Sequence, residues 1–212
     1  MLRRKTPPPM FRRTLFFFSF LLATCCAQAA PTILVFGDSL SAGYGIAAGA
    51  DWVSLLNQRL RQTGHNYQII NASISGETTR GGLQRIGPSL ATHRPAIIIL
   101  ELGANDGLRG LPLEAARGNL DAIIRAARKE RMQTLLVGMR LPPNYGKIYG
   151  EQFQDMYAEL ARKHRLPLVP FLLEGIADKP ELFQPDGLHP IAAAQPVLME
   201  NVWKQLQPLL QR

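Results

Sequence analysis

The stretch Ala96-Ile97-Ile98-Ile99-Leu100 decides the fold. Five apolar side chains in succession leave no polar face, so a strand made of them has to be covered on both sides, as the strands of parallel α/β sheets are. Working outward, short apolar runs alternate with longer amphipathic ones. Upstream, Thr32-Ile33-Leu34-Val35-Phe36 reads as a second buried strand, and Trp52, Val53, Leu55, Leu56 and Leu60 recur at helical spacing over 51–63. Gln68 to Asn71 reads as a strand and Thr79 to Leu90 as a helix. Downstream come a helix near 113–129, a strand at 134–137, a helix at about 151–164, a short strand at 168–170 and a last helix over 191–206. Repeated strand and helix units of this size predict an α/β layer fold with a mainly parallel sheet. No internal repeat, low-complexity tract or linker marks a further module.

In such folds, sites collect beyond the C-terminal ends of the strands. Gly37-Asp38-Ser39-Leu40-Ser41 follows the first strand, Ala72-Ser73-Ile74-Ser75-Gly76 the second, and Gly103-Ala104-Asn105-Asp106 the third. A fourth segment, Asp186-Gly187-Leu188-His189-Pro190, precedes the last helix, which Pro190 is placed to open. Four polar or glycine-rich loops are thus expected at one edge of the sheet.

A serine hydroxyl becomes a useful nucleophile only when a base takes its proton, and imidazole has the pKa for that near neutrality. The chain has four histidines. His65, His93 and His164 fall at helix ends beside Gly64, Arg94 and Lys163-Arg165, and read as solvated termini. His189 shares its loop with Asp186, whose carboxylate can fold back onto Nδ1–H and leave Nε2 facing a serine. Ser39, placed directly after a strand and a Gly-Asp pair, is the candidate nucleophile, and Ser41 a local hydrogen-bonding residue. The sequence around Ser39 lacks the G-x-S-x-G pattern, which disfavours the usual α/β-hydrolase elbow. Acyl transfer also needs donors where charge develops on the carbonyl oxygen. The Ser39 and Gly76 N–H groups and the Asn105 amide are the candidates, with Asp38 and Asp106 as loop braces. Leu108, Leu111, Leu141, Pro142, Pro143 and Tyr145 are candidates for an acyl groove, against the alternative of packing beneath the loops.

At the N-terminus, Arg3, Arg4, Lys5, Arg12 and Arg13 precede the apolar run Leu15 to Ala23, and Ala27-Gln28-Ala29 gives a small-x-small cleavage pattern. The run is too short for an ordinary membrane-spanning helix, so residues 1–29 read as an export signal and 30–212 as one mature domain. A retained anchor and a lipid-modified Cys25 are the alternatives. Removing 1–29 lowers the formal charge from +8 to +3, because five basic and no acidic residues leave. Basicity therefore argues for export and not for nucleic acid. Both cysteines, Cys25 and Cys26, lie in the same segment, so the mature chain has neither a disulfide nor a cysteine nucleophile.

Taken together, Gly37-Asp38-Ser39-Leu40, the segment ending in Gly76, Gly103-Ala104-Asn105-Asp106 and Asp186-Gly187-Leu188-His189-Pro190 resemble, in order, the four sequence blocks of the GDSL or SGNH hydrolase family. Gly37 to Tyr44, Asn71 to Gly76, Glu101 to Gly110 and Arg140 to Gly146 look most like its bacterial periplasmic thioesterase and lysophospholipase branch. The resemblance implies a flavodoxin-like α/β/α sandwich with a mainly parallel five-stranded sheet. It also implies a triad of Ser39, Asp186 and His189, and an oxyanion hole of Ser39, Gly76 and Asn105. It favours an acyl-binding role for Leu108 and Leu111, with the segment Leu108 to Leu113 closing over acyl chains, while Pro142 and Tyr145 are acyl-binding candidates by position. No metal or cofactor is required, and a monomer acting on small acyl esters, thioesters or lysophospholipids in the periplasm or outside the cell is expected. A carbohydrate or short-chain deacetylase and a non-catalytic binding domain are the competing readings.

Overall fold

The computed structural model describes residues 30–210. The segment read above as an export signal, residues 1–29, and the two cysteines in it fall outside the described residues. Five strands form one parallel sheet: β1 (Thr32–Gly37), β2 (Gln68–Asn71), β3 (Ile97–Glu101), β4 (Gln133–Val137) and β5 (Leu168–Val169), in the order β2-β1-β3-β4-β5. All five residues of β3 are buried, as an apolar run without alternation demands, and so are Ile33 to Gly37 of β1. Helices α2 (Trp52–Gln62) and α7 (Gln195–Leu206) pack together on one face of the sheet. On the other face α3 (Thr79–His93), α5 (Leu113–Lys129) and α6 (Lys147–His164) pack in series. The stripe Ala116, Leu120, Ile123, Ile124 and Ala127 is the buried side of α5 and follows the 3.6-residue period. The three layers and the five-stranded parallel sheet agree with the expected fold.

Several boundaries differ from the sequence expectation. Helix α6 begins at Lys147, four residues early, and α3 runs on to His93 although Pro88 lies inside it. The final helix starts at Gln195, after a 3₁₀ turn over Ala192–Ala194, with Pro196 in its first turn where a missing N–H costs nothing. Pro190 does not open that helix. It pairs with Phe183 in an isolated antiparallel bridge, which closes the loop carrying Asp186 and His189. Two segments expected as loops contain one-turn helices, α1 (Ser39–Ala42) and α4 (Ala104–Leu108).

The sheet order positions the site. From β1 the chain crosses to β2 on one side, then returns to build β3 on the other, so the connections leaving β1 and β3 diverge. A crevice results at their C-terminal ends, where ligands bind in open parallel sheets. Gly37 and Glu101, the last residues of β1 and β3, are paired neighbours there.

Candidate active site

Ser39 is the first residue of α1. Asp38 caps the turn by accepting the Leu40 N–H through Oδ1 (3.0 Å), and Gly43 ends it in the left-handed conformation. Gly37 permits the close approach beneath the turn. A Cβ at that position would fall 2.6 Å from Glu101 Oε2 and 2.9 Å from the Glu101 carbonyl oxygen. Glu101 itself is wholly buried and holds the turn from both sides of Ser39. Its Oε2 accepts from Ser41 Oγ (2.7 Å) and from the Asp38 N–H (3.3 Å). Ser41 is thus a hydrogen-bonding residue, but its partner is 60 residues away and not local as expected.

Burial pushes the Glu101 carboxyl well above its usual range, with the nearby Asp38 charge adding to the effect, and burial raises Asp38 to about 6. Above about pH 4 the unfolded chain releases protons that the folded protein keeps on these two groups, so their contribution to stability falls as pH rises. Glu101→Gln keeps an oxygen for both hydrogen bonds but cannot ionise. Its melting temperature should therefore depend less on pH between 5 and 8 than that of the wild type. Equal slopes in thermal unfolding across that range would remove Glu101 as the source.

The candidate base, His189, lies in the loop closed by the Phe183–Pro190 bridge. Asp186 folds back as the three-residue spacing predicts, its Oδ1 accepting the N–H groups of Leu188 (2.9 Å) and His189 (3.0 Å). Those two donors, His189 first, lower the Asp186 pKa to about 2, so the carboxylate stays ionised. An ionised carboxylate can only accept, and Asp186 Oδ2 lies 2.7 Å from His189 Nδ1. The proton of a neutral imidazole is therefore placed on Nδ1, which leaves the Nε2 lone pair for Ser39 Oγ at 2.9 Å. Tyr44 lies against the imidazole with ring centroids 4.5 Å apart.

Asn105 sits on α4, after Gly103 at the end of the β3 connection. A Cβ on Gly103 would collide with the Tyr157 hydroxyl, which donates to the Leu102 carbonyl (3.0 Å). The Asn105 amide is oriented by three partners. Nδ2 donates to Asp38 Oδ2 (3.1 Å) and to the Glu77 carbonyl (3.0 Å), and Oδ1 accepts from Arg109 Nη2 (3.3 Å). The same Arg109 nitrogen donates to the Gly76 carbonyl (3.0 Å). Asp106 braces α3 by accepting the Thr79 N–H (2.8 Å) and hydroxyl (2.6 Å). Hydrogen bonds thus link Asp186, His189 and Ser39 in one set and Gly76, Arg109, Asn105 and Asp38 in another, and the two sets meet where Asp38 precedes Ser39 in the chain.

The apolar candidates lie on α4, just after it, and in the connection from β4 to α6. Leu108 lies within α4 rather than in a loop, half-buried, and its carbonyl accepts from the Tyr145 hydroxyl (3.0 Å). Leu111 is exposed, and its carbonyl takes the Tyr149 hydroxyl (3.1 Å). Pro142 and Pro143 are exposed, while Leu141 packs partly on the core. The structure thus joins the segments carrying Leu108 and Tyr145. The remaining histidines divide. His65 lies against Trp203, but His164 is not a solvated terminus: its side chain is 6% exposed and Nε2 lies 2.7 Å from Asp121 Oδ1. Asp121 belongs to α5, packed beside α6, so the partner is hidden from local sequence.

Sequence reasoning missed Glu101, Arg109, Gln184 and Gln195. The Gln184 side chain ties the Tyr44 carbonyl (2.9 Å) to that of Pro190 (3.3 Å). Gln195 is buried and accepts the Trp52 N–H (3.0 Å), while the Trp52 indole donates to the Leu40 carbonyl (3.1 Å). A single acid closing the apolar run of β3 was the one available signal, for Glu101. Among the described residues no cluster of His, Cys, Asp and Glu could hold a metal ion.

The model of the GDSL-like Lipase/Acylhydrolase family matches residues 35–195. Esterase TesA of Pseudomonas aeruginosa is 48% identical over 182 residues, covering 86% of this chain and 90% of that protein. Thioesterase 1/protease 1/lysophospholipase L1 of Escherichia coli K12 is 42% identical over 184 residues, covering 87% of each. The crystal structure of TesA superposes with a TM-score of 0.83 at 47% identity, covering 84% of this chain and 99% of that one.

Proposed function

We propose that this chain, which belongs to the GDSL-like lipase/acylhydrolase family, hydrolyses carboxylic esters and acyl thioesters through an acyl-enzyme on Ser39. The observation that carries the reading is the relay from Ser39 Oγ to His189 Nε2 (2.9 Å) and from His189 Nδ1 to Asp186 Oδ2 (2.7 Å). As Ser39 Oγ attacks the acyl carbonyl, His189 Nε2 takes its proton and Asp186 stabilises the imidazolium. His189 then returns that proton to the departing alcohol or thiol. Water next attacks the acyl-enzyme, His189 again accepts a proton, and the acid leaves as Ser39 regains its hydrogen.

The oxyanion donors in this reading are the N–H groups of Ser39 and Gly76 and the Asn105 amide. Both Asn105 amide hydrogens are committed in the free protein. Exchanging the one on the Glu77 carbonyl for the substrate oxygen keeps the other on Asp38, which holds the amide in its plane. Leu108, Leu111, Pro142 and Tyr145 are assigned to the acyl side, beside the site. The names of the relatives support esters and thioesters as the substrate class. The active form is assigned as one mature domain, residues 30–212, acting as a monomer in the periplasm or outside the cell. The basic and apolar pattern of 1–29 supports the export part of this reading.

Matched esters and thioesters from acetyl to palmitoyl, assayed with the mature protein, test the substrate reading. Turnover of both series, rising toward medium or long chains, is the expected result. Activity confined to acetyl or aryl esters would keep the chemistry and move the substrate to short-chain esters. No turnover of any member would overturn the proposal.

A further inference from the structure

We propose that Arg109 is a positioning residue that locks the Gly76 loop to Asn105 while the Asn105 amide serves the oxyanion, an inference that rests on the reading of Gly76 and Asn105 as oxyanion donors. These two residues follow different strands, β2 at the sheet edge and β3 at its centre, so their relative position is not fixed by a shared element. Beside the brace from Asp106 to Thr79 in the adjoining residues, two connections join the Asn105 side chain itself to the Gly76 loop in the free protein. One is Asn105 Nδ2 to the Glu77 carbonyl, and the other is Arg109 Nη2, which reaches Gly76 O at 3.0 Å and Asn105 Oδ1 at 3.3 Å. The first connection uses the hydrogen assigned to the substrate oxygen and is lost when the amide turns to its task. The second uses only Oδ1, so it persists through the reaction.

The chemistry of a guanidinium suits this use. One Nη carries two hydrogens held in a plane, so a single nitrogen can serve both acceptors at a fixed angle. Arg109 stands four residues after Asn105, at the end of α4, and its own N–H returns to the Asn105 carbonyl (3.2 Å). The bridge therefore starts from the same turn of chain that carries the amide. A cation on Oδ1 also draws electron density through the amide and strengthens the Nδ2–H donor, because hydrogen bonds in a chain polarise one another. A Cβ on Gly76 would stand 3.6 Å from Arg109 Nη2, an ordinary contact, so glycine is needed there for its φ of +79° and not to admit the bridge.

A double-mutant cycle of Arg109→Ala and Asn105→Ala, with Arg109→Lys as the conservative variant, separates positioning from mere surface charge. With a neutral short-chain ester, Arg109→Ala should lower kcat about tenfold and leave KM within about twofold, because the bridge serves the transition state and not ground-state binding. Arg109→Lys should recover part of the loss. Arg109 is exposed, so the melting temperature should not move. In the Asn105→Ala background, itself down about 100-fold, the Arg109 substitution should have little further effect. An unchanged kcat in Arg109→Ala, a loss that persists undiminished without Asn105, or an effect limited to the KM of anionic substrates would each overturn the proposal. If Asn105→Ala alone left kcat within about tenfold of wild type, the oxyanion reading itself would fail instead.

Discussion

Ser39→Ala should lower kcat on the order of 10⁶-fold while leaving the fold intact, because no other group near His189 Nε2 can form the acyl-enzyme. Among the described residues the Ser39 hydroxyl is hydrogen-bonded to His189 Nε2, at 2.9 Å. Its loss frees a ring nitrogen at a partly exposed position, for a cost of no more than about 1 kcal/mol. Ser41 cannot take over. Its hydroxyl is fully buried and is committed as a donor to Glu101 Oε2. Steady-state kinetics and thermal unfolding of the same preparation check both halves, and a loss below about tenfold with an unchanged melting temperature would reject Ser39 as nucleophile.

His189→Ala should cost nearly as much, because serine and base act as a unit and neither functions without the other. An isolated serine hydroxyl at neutral pH holds too little alkoxide to attack an ester at a useful rate, so removing the acceptor for its proton removes the step. The decisive number is non-additivity. The Ser39→Ala, His189→Ala double variant should be no slower than either single variant, within about threefold. Losses that multiply would mean that the two residues contribute separately. Asp186 keeps two backbone donors without the ring, so the loop should hold its shape and the variant should fold.

The parts of the fold legible in the sequence are those with a long one-sided or unsided apolar pattern. Ile97 to Leu100 could be read as a central strand because burial on both faces leaves no alternation to misjudge. The apolar spacing of α5 gave its bounds in the same way. Helices α1 and α4 could not be read, having four and five residues, too few for a period to show. They form because caps and contacts around them fix the turn, as Asp38 does for Leu40.

The site divides along the same line. Ser39, Asp186 and His189 were legible as candidates because each stands in a short polar segment of sequence with a chemical reason to be there. Asp186 and His189 are also close enough in sequence for their contact to be local. Glu101 was not, since its partners, Ser41 and Asp38, are 60 and 63 residues away and meet it only through the pairing of β1 with β3. Arg109 looks like an ordinary surface arginine until the Gly76 loop is placed beside it. His164 failed in the opposite direction: flanking basic residues mark a solvated helix end, whereas Asp121 on the adjoining helix takes its ring nitrogen.

The most direct test of the central claim is covalent. Treating the mature protein with an alkyl fluorophosphonate, followed by intact-mass measurement and peptide mapping, locates the nucleophile without reference to any substrate. One adduct per chain, on Ser39, formed slowly in His189→Ala and not at all in Ser39→Ala, is the predicted result. Labelling at Ser41 or elsewhere, or no labelling of a fully folded protein, would contradict it.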